Sequence, residues 1–276
     1  MLLITLLGVA TRIVSNSYLN VFQKILTNFG NKSSVINFYS YLGLTLLGSL
    51  CVHNFIPIYS SEILQNVIIM GILGTLANYC IIKALSLGEL SSLAPINSYK
   101  PLVAMFIGYF LLGELPSYTA IIGILLIILG TYFLYFTFKT NNLLAIIYRT
   151  IALILSGSEA IFIKKVILLT NINDAFFYWA ISGLIFSTIF LLFTKNKLCI
   201  KNHKYQIFLI LCIGLMQYST NFVFSKMNVS YALALFQLST IFSVFLGANI
   251  FKENNLVRKT IASLIMILGA IIIILS

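Results

Sequence analysis

Long apolar runs alternate with short polar breaks along the whole chain. Most runs are about 20 residues long, the length that a helix needs to cross the hydrocarbon core of a bilayer. They lack the strict alternation of apolar and polar residues that marks membrane strands. The pattern predicts ten membrane-spanning helices, over residues 2–23, 35–56, 64–86, 91–112, 117–138, 144–168, 174–194, 205–225, 229–251 and 256–275.

The composition agrees with a membrane protein. Of the 276 residues, 60% are hydrophobic and 8% are charged, whereas about 25% are charged in a typical soluble domain. A soluble enzyme and a soluble nucleic-acid-binding protein are therefore excluded. The formal net charge of +11 is typical of lysines that flank membrane spans. We predict a multi-pass protein of the cytoplasmic (inner) membrane that has the lipid bilayer, and no nucleic acid, as a partner.

Neither the cysteines nor any short motif indicates a cofactor. The four cysteines are scattered and lack the spacing of a metal site or a disulfide. No GxxxxGK[ST] motif occurs, so the sequence indicates no direct use of ATP. We therefore expect no catalytic residues, no metal ion and no cofactor.

Equivalent predicted helices in the two halves of the chain carry the same residues at the same spacings. Glycines, asparagines, lysines and glutamates all take part in these matches. The matched pairs are Gly71 with Gly214, Asn78 with Asn221, Lys83 with Lys226, Gly108 with Gly247, Glu114 with Glu253, and Gly130 with Gly269. The pattern predicts two domains, 1–138 and 143–276, with five helices each. Because five is odd, the second copy lies inverted in the membrane relative to the first.

The segment 83–130 carries several residues of a known family pattern. They are two prolines in the fourth predicted helix (Pro95 and Pro101), Gly113-Glu114 at its end, and Gly123 and Gly130 in the fifth predicted helix. With these residues the chain resembles the EamA type of the drug/metabolite transporter superfamily. The resemblance implies ten helices in two halves, a small-molecule substrate and transport by alternating access.

Three ionisable residues lie deep inside predicted spans: Arg12, Lys100 and Glu159. A charge at that depth costs several kcal/mol (about 2.5–3.5 on insertion scales), which makes each residue a functional candidate. If the carboxylate neutralises one of the two cations, the other cation remains unpaired. An unpaired buried cation is costly unless an anion binds it, so we expect a substrate with a carboxylate or phosphate. Glu159 is the candidate group for coupling to protons. Two alternatives are a structural ion pair of Glu159 with Arg12 or Lys100, and a helix boundary misplaced by one turn.

Further polar residues point to a central cavity. The first helix carries a polar stripe, and the segment 95–101 is unusually polar for a span, with prolines that free backbone carbonyls. Its counterpart in the ninth helix is polar but has no proline to break the helix. Interhelical hydrogen bonds are the alternative role. The predicted substrate-binding residues are Asn16, Asn20, Asn78, Tyr79, Asn97, Tyr99, Lys100, Glu159, Gln217, Asn221 and Gln237.

The sequence thus predicts a secondary active transporter for a small polar, anionic metabolite such as an amino acid or a related metabolite. An intramembrane enzyme or a handler of lipid-linked sugars is the alternative, although no HExxH motif or paired intramembrane aspartates are present. A channel is a third class. The distribution of lysine and arginine places both termini outside the cell, whereas the resemblance implies cytoplasmic termini. Orientation and the choice between monomer and homodimer stay open.

Overall fold

The computed structural model describes residues 2–52, 56–88, 93, 96–134, 142–194, 196–239 and 256–275. Within these ranges the chain forms ten α-helices. They are α1 (Leu2–Asn28), α2 (Ser33–Cys51), α3 (Ser61–Leu87), α4 (Lys100–Leu112), α5 (Tyr118–Leu134), α6 (Leu143–Leu169), α7 (Ile172–Thr194), α8 (His203–Phe224), α9 (Val229–Phe236) and α10 (Leu256–Leu275).

The predicted all-helical fold is confirmed, and each described helix falls within or close to a predicted one. Helix α1 continues to Asn28, five residues beyond its predicted end, and α2 ends at Cys51 rather than at residue 56. The predicted helical residues 135–138 and 240–251, which include Gly247, lie outside the described residues, as do Pro95 and Glu253.

Four of the described helices (α2, α3, α7 and α8) are long and apolar enough to cross a bilayer. Shorter apolar helical stretches cover Lys100–Leu112, Tyr118–Phe133 and Leu264–Leu275. Such helices satisfy their backbone hydrogen bonds internally, as lipid requires.

The most extensive helix packing joins the first five helices to the last five: α3 with α6, α5 with α10, α1 with α8, and α2 with α7. The counterpart of each helix is the one five helices later or earlier in the chain, so that α1 corresponds to α6. Replacing every helix in these pairs by its counterpart gives the same set of pairs. The pair α3–α6 becomes α8–α1, while α5–α10 and α2–α7 map onto themselves. Such reciprocal contacts are what a two-fold relation between two copies generates.

Helices α5 and α10 approach closely at glycines. A Cβ atom on Gly123 would lie 2.7 Å from the carbonyl oxygen of Gly269, and one on Gly269 would lie 2.6 Å from that of Gly123. Two helical turns further along α5, a Cβ on Gly130 would lie 2.9 Å from the carbonyl oxygen of Ala262 in α10. Small residues allow two backbones to come this near in a membrane.

We expect Gly269→Ala to destabilise the protein by about 1–3 kcal/mol, because overpacking a close contact shifts the backbone. The contact to be displaced is a backbone carbonyl rather than a flexible side chain. Thermal unfolding in detergent measures the effect. The matched control is Gly214→Ala, whose Cβ would meet Leu44 and Leu47 at 3.5 and 3.6 Å, so an equal loss in both variants would contradict the prediction.

Two helix breaks lie at matching positions of the halves. Residues 98–99 form a turn between a helical segment at 96–97 and α4, and residues 237–238 form a turn after α9. The expected break in the fourth helix is thus present, but Pro101 lies in the first turn of α4, where its missing N–H is not needed. The prediction of an interior proline at this position is wrong.

The prediction that the ninth helix is unbroken is also wrong. The Gln237 side-chain Nε2 donates to the carbonyl oxygen of Leu233 (3.2 Å), the acceptor that the backbone N–H of Gln237 would use in a continuous helix. That N–H donates instead to Ala234 at 3.0 Å. The side-chain amide of Gln237 therefore binds a carbonyl oxygen that has no backbone donor at the break, and no proline lies at this position.

Candidate functional site

A cavity of about 150 Å³ lies between the two halves of the chain. Its wall takes residues from the first four helices and from α6 to α9. The space is sufficient for several water molecules or for a small polar solute. Seven of the predicted binding residues line it: Asn16, Asn20, Asn78, Asn97, Lys100, Glu159 and Gln217.

Four other predicted binding residues do not form the cavity wall. Tyr79 packs its ring on Phe190, with 4.6 Å between ring centroids. It follows the cavity residue Asn78 directly in α3 but is not among the residues that line the cavity. Tyr99 is 42% exposed, at the turn before the cavity residue Lys100.

Asn221 and Gln237 lie behind the wall rather than in it. Asn221 is fully buried and its side-chain amide contacts that of Gln217 at 2.9 Å. Gln237 accepts a hydrogen bond from Asn97 Nδ2 (3.3 Å), which joins the two helix breaks. These residues hold cavity residues in place, which is the packing role left open by the sequence.

Several residues that the binding prediction omitted also line the cavity. They are Arg12, Gln23, Tyr41, Arg149, Ser156, Trp179, Thr220 and Ser239, besides apolar residues. The position of Arg149 could have been predicted from helical spacing. Intervals of seven, three and four residues separate Arg149, Ser156, Glu159 and Ile163 in turn. Those intervals place all four on one helix face.

Among the described residues that line the cavity, Glu159 is the one acidic residue. It is 8% exposed, and its Oε1 accepts a hydrogen bond from Trp179 Nε1 at 2.7 Å. Gly74 leaves the room for this carboxylate, since a Cβ there would overlap Oε1. In the described part of the chain no lysine or arginine pairs directly with Glu159, so the alternative of a direct ion pair with Arg12 or Lys100 is not what the structure shows.

Three cations face the same cavity. Arg12 donates through Nε to Thr220 Oγ1 (2.9 Å), and its guanidinium carbon lies 4.8 Å from the centroid of the Phe236 ring. Its Nη1 is buried without a hydrogen-bond partner, as is Nε of Arg149. Arg149 is 8% exposed. Lys100 provides the third positive charge in the wall.

A hydrogen-bonded chain of amides supports the wall near α1. Gln23 Nε2 donates to Asn78 Oδ1 (3.1 Å), and Asn78 Nδ2 donates to Asn37 Oδ1 (2.5 Å). On the other side, Asn16 Nδ2 donates to Ser239 Oγ (3.1 Å), next to the break after α9. The polar stripe of α1 therefore both lines the cavity and bonds neighbouring helices.

A lysine near the end of the first helix in each half binds backbone carbonyls. Lys24 Nζ donates to the carbonyl oxygens of Leu85 (2.6 Å) and Gly88 (3.0 Å), at the end of α3. Lys164 Nζ donates to that of Met227 (2.9 Å), just after α8. Each lysine thereby stabilises the carboxyl end of a helix.

Lys164 also forms an ion pair with Glu114, with 2.7 Å between Nζ and Oε1. The other carboxylate oxygen of Glu114 accepts a hydrogen bond from the backbone N–H of Val229 at 2.9 Å. Glu114 therefore joins the end of α4 to α6 and to the start of α9. Its repeat counterpart Glu253 lies outside the described residues.

Comparisons with known proteins place this fold. The EamA-like transporter family matches the chain twice, over residues 3–136 and 143–275. A solved crystal structure, described only as that of a protein, is similar with a TM-score of 0.76 and 14% identity, covering 98% of this chain and 97% of its own. A search of curated proteins gives no match.

The family match covers nearly the whole chain and both halves of it. It agrees with the long apolar helices, and it implies a small-molecule substrate and a lipid bilayer as partners. The chain therefore belongs to the EamA-like transporter family of the drug/metabolite transporter superfamily, and it is a multi-pass integral membrane protein.

Proposed function

We propose that this protein is a secondary active transporter that moves a small anionic metabolite across the cytoplasmic membrane by alternating access. The observation that carries the proposal is the cavity between the two halves, which has three cations and one carboxylate in its wall. In a chain made of apolar helices, buried charged groups mark a path for a polar solute.

The proposed architecture has ten membrane spans in two inverted five-helix domains, 1–138 and 143–276. The contacts between α5 and α10 support it. Gly123 meets Gly269, and Gly130 meets Ala262. A shift of 139 residues, which aligns Gly130 with Gly269, also aligns Gly123 with Ala262 and so converts one contact into the other. The order of contacts descends in one helix as it ascends in the other, so the two helices run antiparallel.

The two broken helices provide the polar midsection of the proposed path. Discontinuous helices near the bilayer midplane form the binding sites of many secondary transporters. Here the break before α4 presents Asn97 and Lys100 to the cavity, and the break after α9 presents Ser239. The amino terminus of α4 adds the positive end of its dipole to the charge of Lys100.

The two lysine contacts support alternation between two open states. In the inverted arrangement α1 and α6 run in opposite directions, so Lys24 and Lys164 close opposite ends of the helix bundle. Each binds carbonyl oxygens at the end of a helix from its own half. Opening one end while the other stays bonded would expose the cavity to one side at a time. The cavity is formed within one chain, so a monomer is sufficient as the transport unit.

Glu159 is the proposed group for coupling transport to protons. We expect Glu159→Gln in proteoliposomes to keep the Trp179 hydrogen bond, since an amide oxygen also accepts, but to remove the one carboxylate among the described residues of the cavity wall. Uptake of a labelled organic anion should then lose its dependence on pH and on an imposed proton gradient. The wild type should retain both.

The control for this experiment is Lys226→Gln, which removes a charge at an exposed position after α8. It should keep the wild-type uptake and pH profile. A Glu159→Gln variant that still responds to pH would remove the coupling role from Glu159. Wild-type proteoliposomes that take up no solute down or against any gradient would contradict transport itself.

A further inference from the structure

Positive charges outnumber negative ones among the described residues that line the cavity. These residues include three cations and one carboxylate, a formal surplus of two charges. The carboxylate of Glu159 bonds to Trp179 rather than to a cation. Among the described residues, the single ion pair is the distant one between Lys164 and Glu114.

Two guanidinium groups have buried donors that lack an acceptor. Arg12 is held through Nε by Thr220, and its Nη1 has no partner. Arg149, at 8% exposure, has no partner for Nε. A buried charged donor without an acceptor is strongly unfavourable unless water or an anion occupies the site. Both groups line the same cavity.

We propose that Arg12, Arg149 and Lys100 form a binding site for a dianionic metabolite, either a dicarboxylate or a phosphate monoester. This inference rests on the proposed transport function and specifies its substrate class. A dianion neutralises the formal surplus, whereas a monoanion leaves one charge and a zwitterionic amino acid leaves both. The planar guanidinium fork matches carboxylate and phosphate oxygens.

The proposal excludes a neutral amino acid as the preferred substrate. A zwitterion would bring a cationic ammonium group into a wall that already has three cations and one acceptor carboxylate. Glu159 is the one carboxylate among the described residues of the wall that could receive it. Charge therefore selects among small metabolites of similar size, because like-charge contacts in a desolvated site are repulsive.

The test uses four-carbon probes that differ in charge: succinate (a dianion), butyrate (a monoanion) and 4-aminobutyrate (a zwitterion). Comparison of glycerol 3-phosphate with succinate distinguishes a phosphate from a dicarboxylate, and glycerol is the uncharged control. Binding to detergent-solubilised wild type, measured by thermal shift and calorimetry, should follow the number of negative charges. Uptake into proteoliposomes should show the same order.

Arg149→Gln should raise the Kd of the preferred dianion about tenfold or more, while Arg149→Lys, which keeps the charge, should raise it less. Lys226→Gln serves as the matched loss of charge at an exposed site. The Tm without ligand reports whether each variant is folded. If Arg149→Gln does not fold, Arg149→Lys and the ranking of the wild-type probes decide the outcome.

Two results overturn the inference while leaving transport intact: 4-aminobutyrate that binds and is taken up better than succinate and glycerol 3-phosphate, or dianion binding that Arg149→Gln leaves unchanged. Binding of dianions without any uptake would instead support the site and contradict the proposed transport function. The failure of one proposal is thereby distinguished from the failure of the other.

Discussion

Glu114→Ala is expected to lower the free energy of unfolding by about 3–5 kcal/mol, the usual loss when one partner of a buried ion pair is removed. The side chains of Lys164 and Glu114 are 13% and 11% exposed. After the substitution Lys164 keeps one acceptor, the carbonyl oxygen of Met227, and the N–H of Val229 loses its own. Thermal or denaturant unfolding in detergent measures the change.

A double variant separates the ion pair from the space that it fills. Replacing both partners with apolar residues of similar size, in Glu114→Leu with Lys164→Met, should recover most of the loss, because no uncompensated charge is then buried. The matched control is Glu62→Ala, which removes an exposed carboxylate from the first turn of α3 and should cost at most about 1 kcal/mol. A loss in Glu114→Ala no larger than in Glu62→Ala would show that the pair is not structural.

The helices of this protein are predictable because lipid imposes a simple pattern on them. A spanning helix needs a long apolar run, and its ends need polar or helix-breaking residues. Apolar runs therefore predict the helices, and the polar breaks between them predict the loops. The repeat was visible for the same reason. Close backbone contacts, as between Gly123 and Gly269, require glycine, and glycines stand out in a sequence rich in leucine and isoleucine.

The break after α9 was not predictable from the same signals. Proline marks a break in a sequence, and no proline lies near residues 237–238. Glutamine is an ordinary helical residue, and the bonds of Gln237 to the carbonyl oxygen of Leu233 and to Asn97 appear only in the folded chain. The local sequence therefore carries no signal for this break.

Some residues of the candidate site are predictable from the sequence and others are not. Lys100 and Glu159 were expected in the cavity because charges in the middle of a span are costly and therefore conspicuous. Arg149 was missed because it lies near the start of α6, where an arginine ordinarily extends toward the membrane surface. Its helical register with Glu159 was the usable signal. The partner of Glu159 was not predictable, since Trp179 lies on another helix and its indole is an equally ordinary membrane-interface group.

Gly74→Ala is expected to reduce uptake at least about tenfold, equivalent to roughly 1.4 kcal/mol, while the protein stays folded. A Cβ at this position would overlap Oε1 of Glu159 and lie 2.9 Å from its carboxylate carbon. The obstructing atoms belong to the end of a flexible side chain, so Glu159 can move away and the helix can persist. Moving it breaks the bond from Trp179 and displaces the proposed coupling group.

The same substitution at Gly214, where the nearest atoms are at least 3.5 Å from the added Cβ, should leave uptake unchanged. The effect of Gly74→Ala must act through Glu159 if the explanation is right. In a Glu159→Gln background, which already lacks the titratable group, Gly74→Ala should therefore reduce uptake by less than it does in the wild type, since substitutions that act on one interaction are not additive. A further tenfold loss of uptake in the double variant would mean that Gly74 shapes the cavity independently of Glu159.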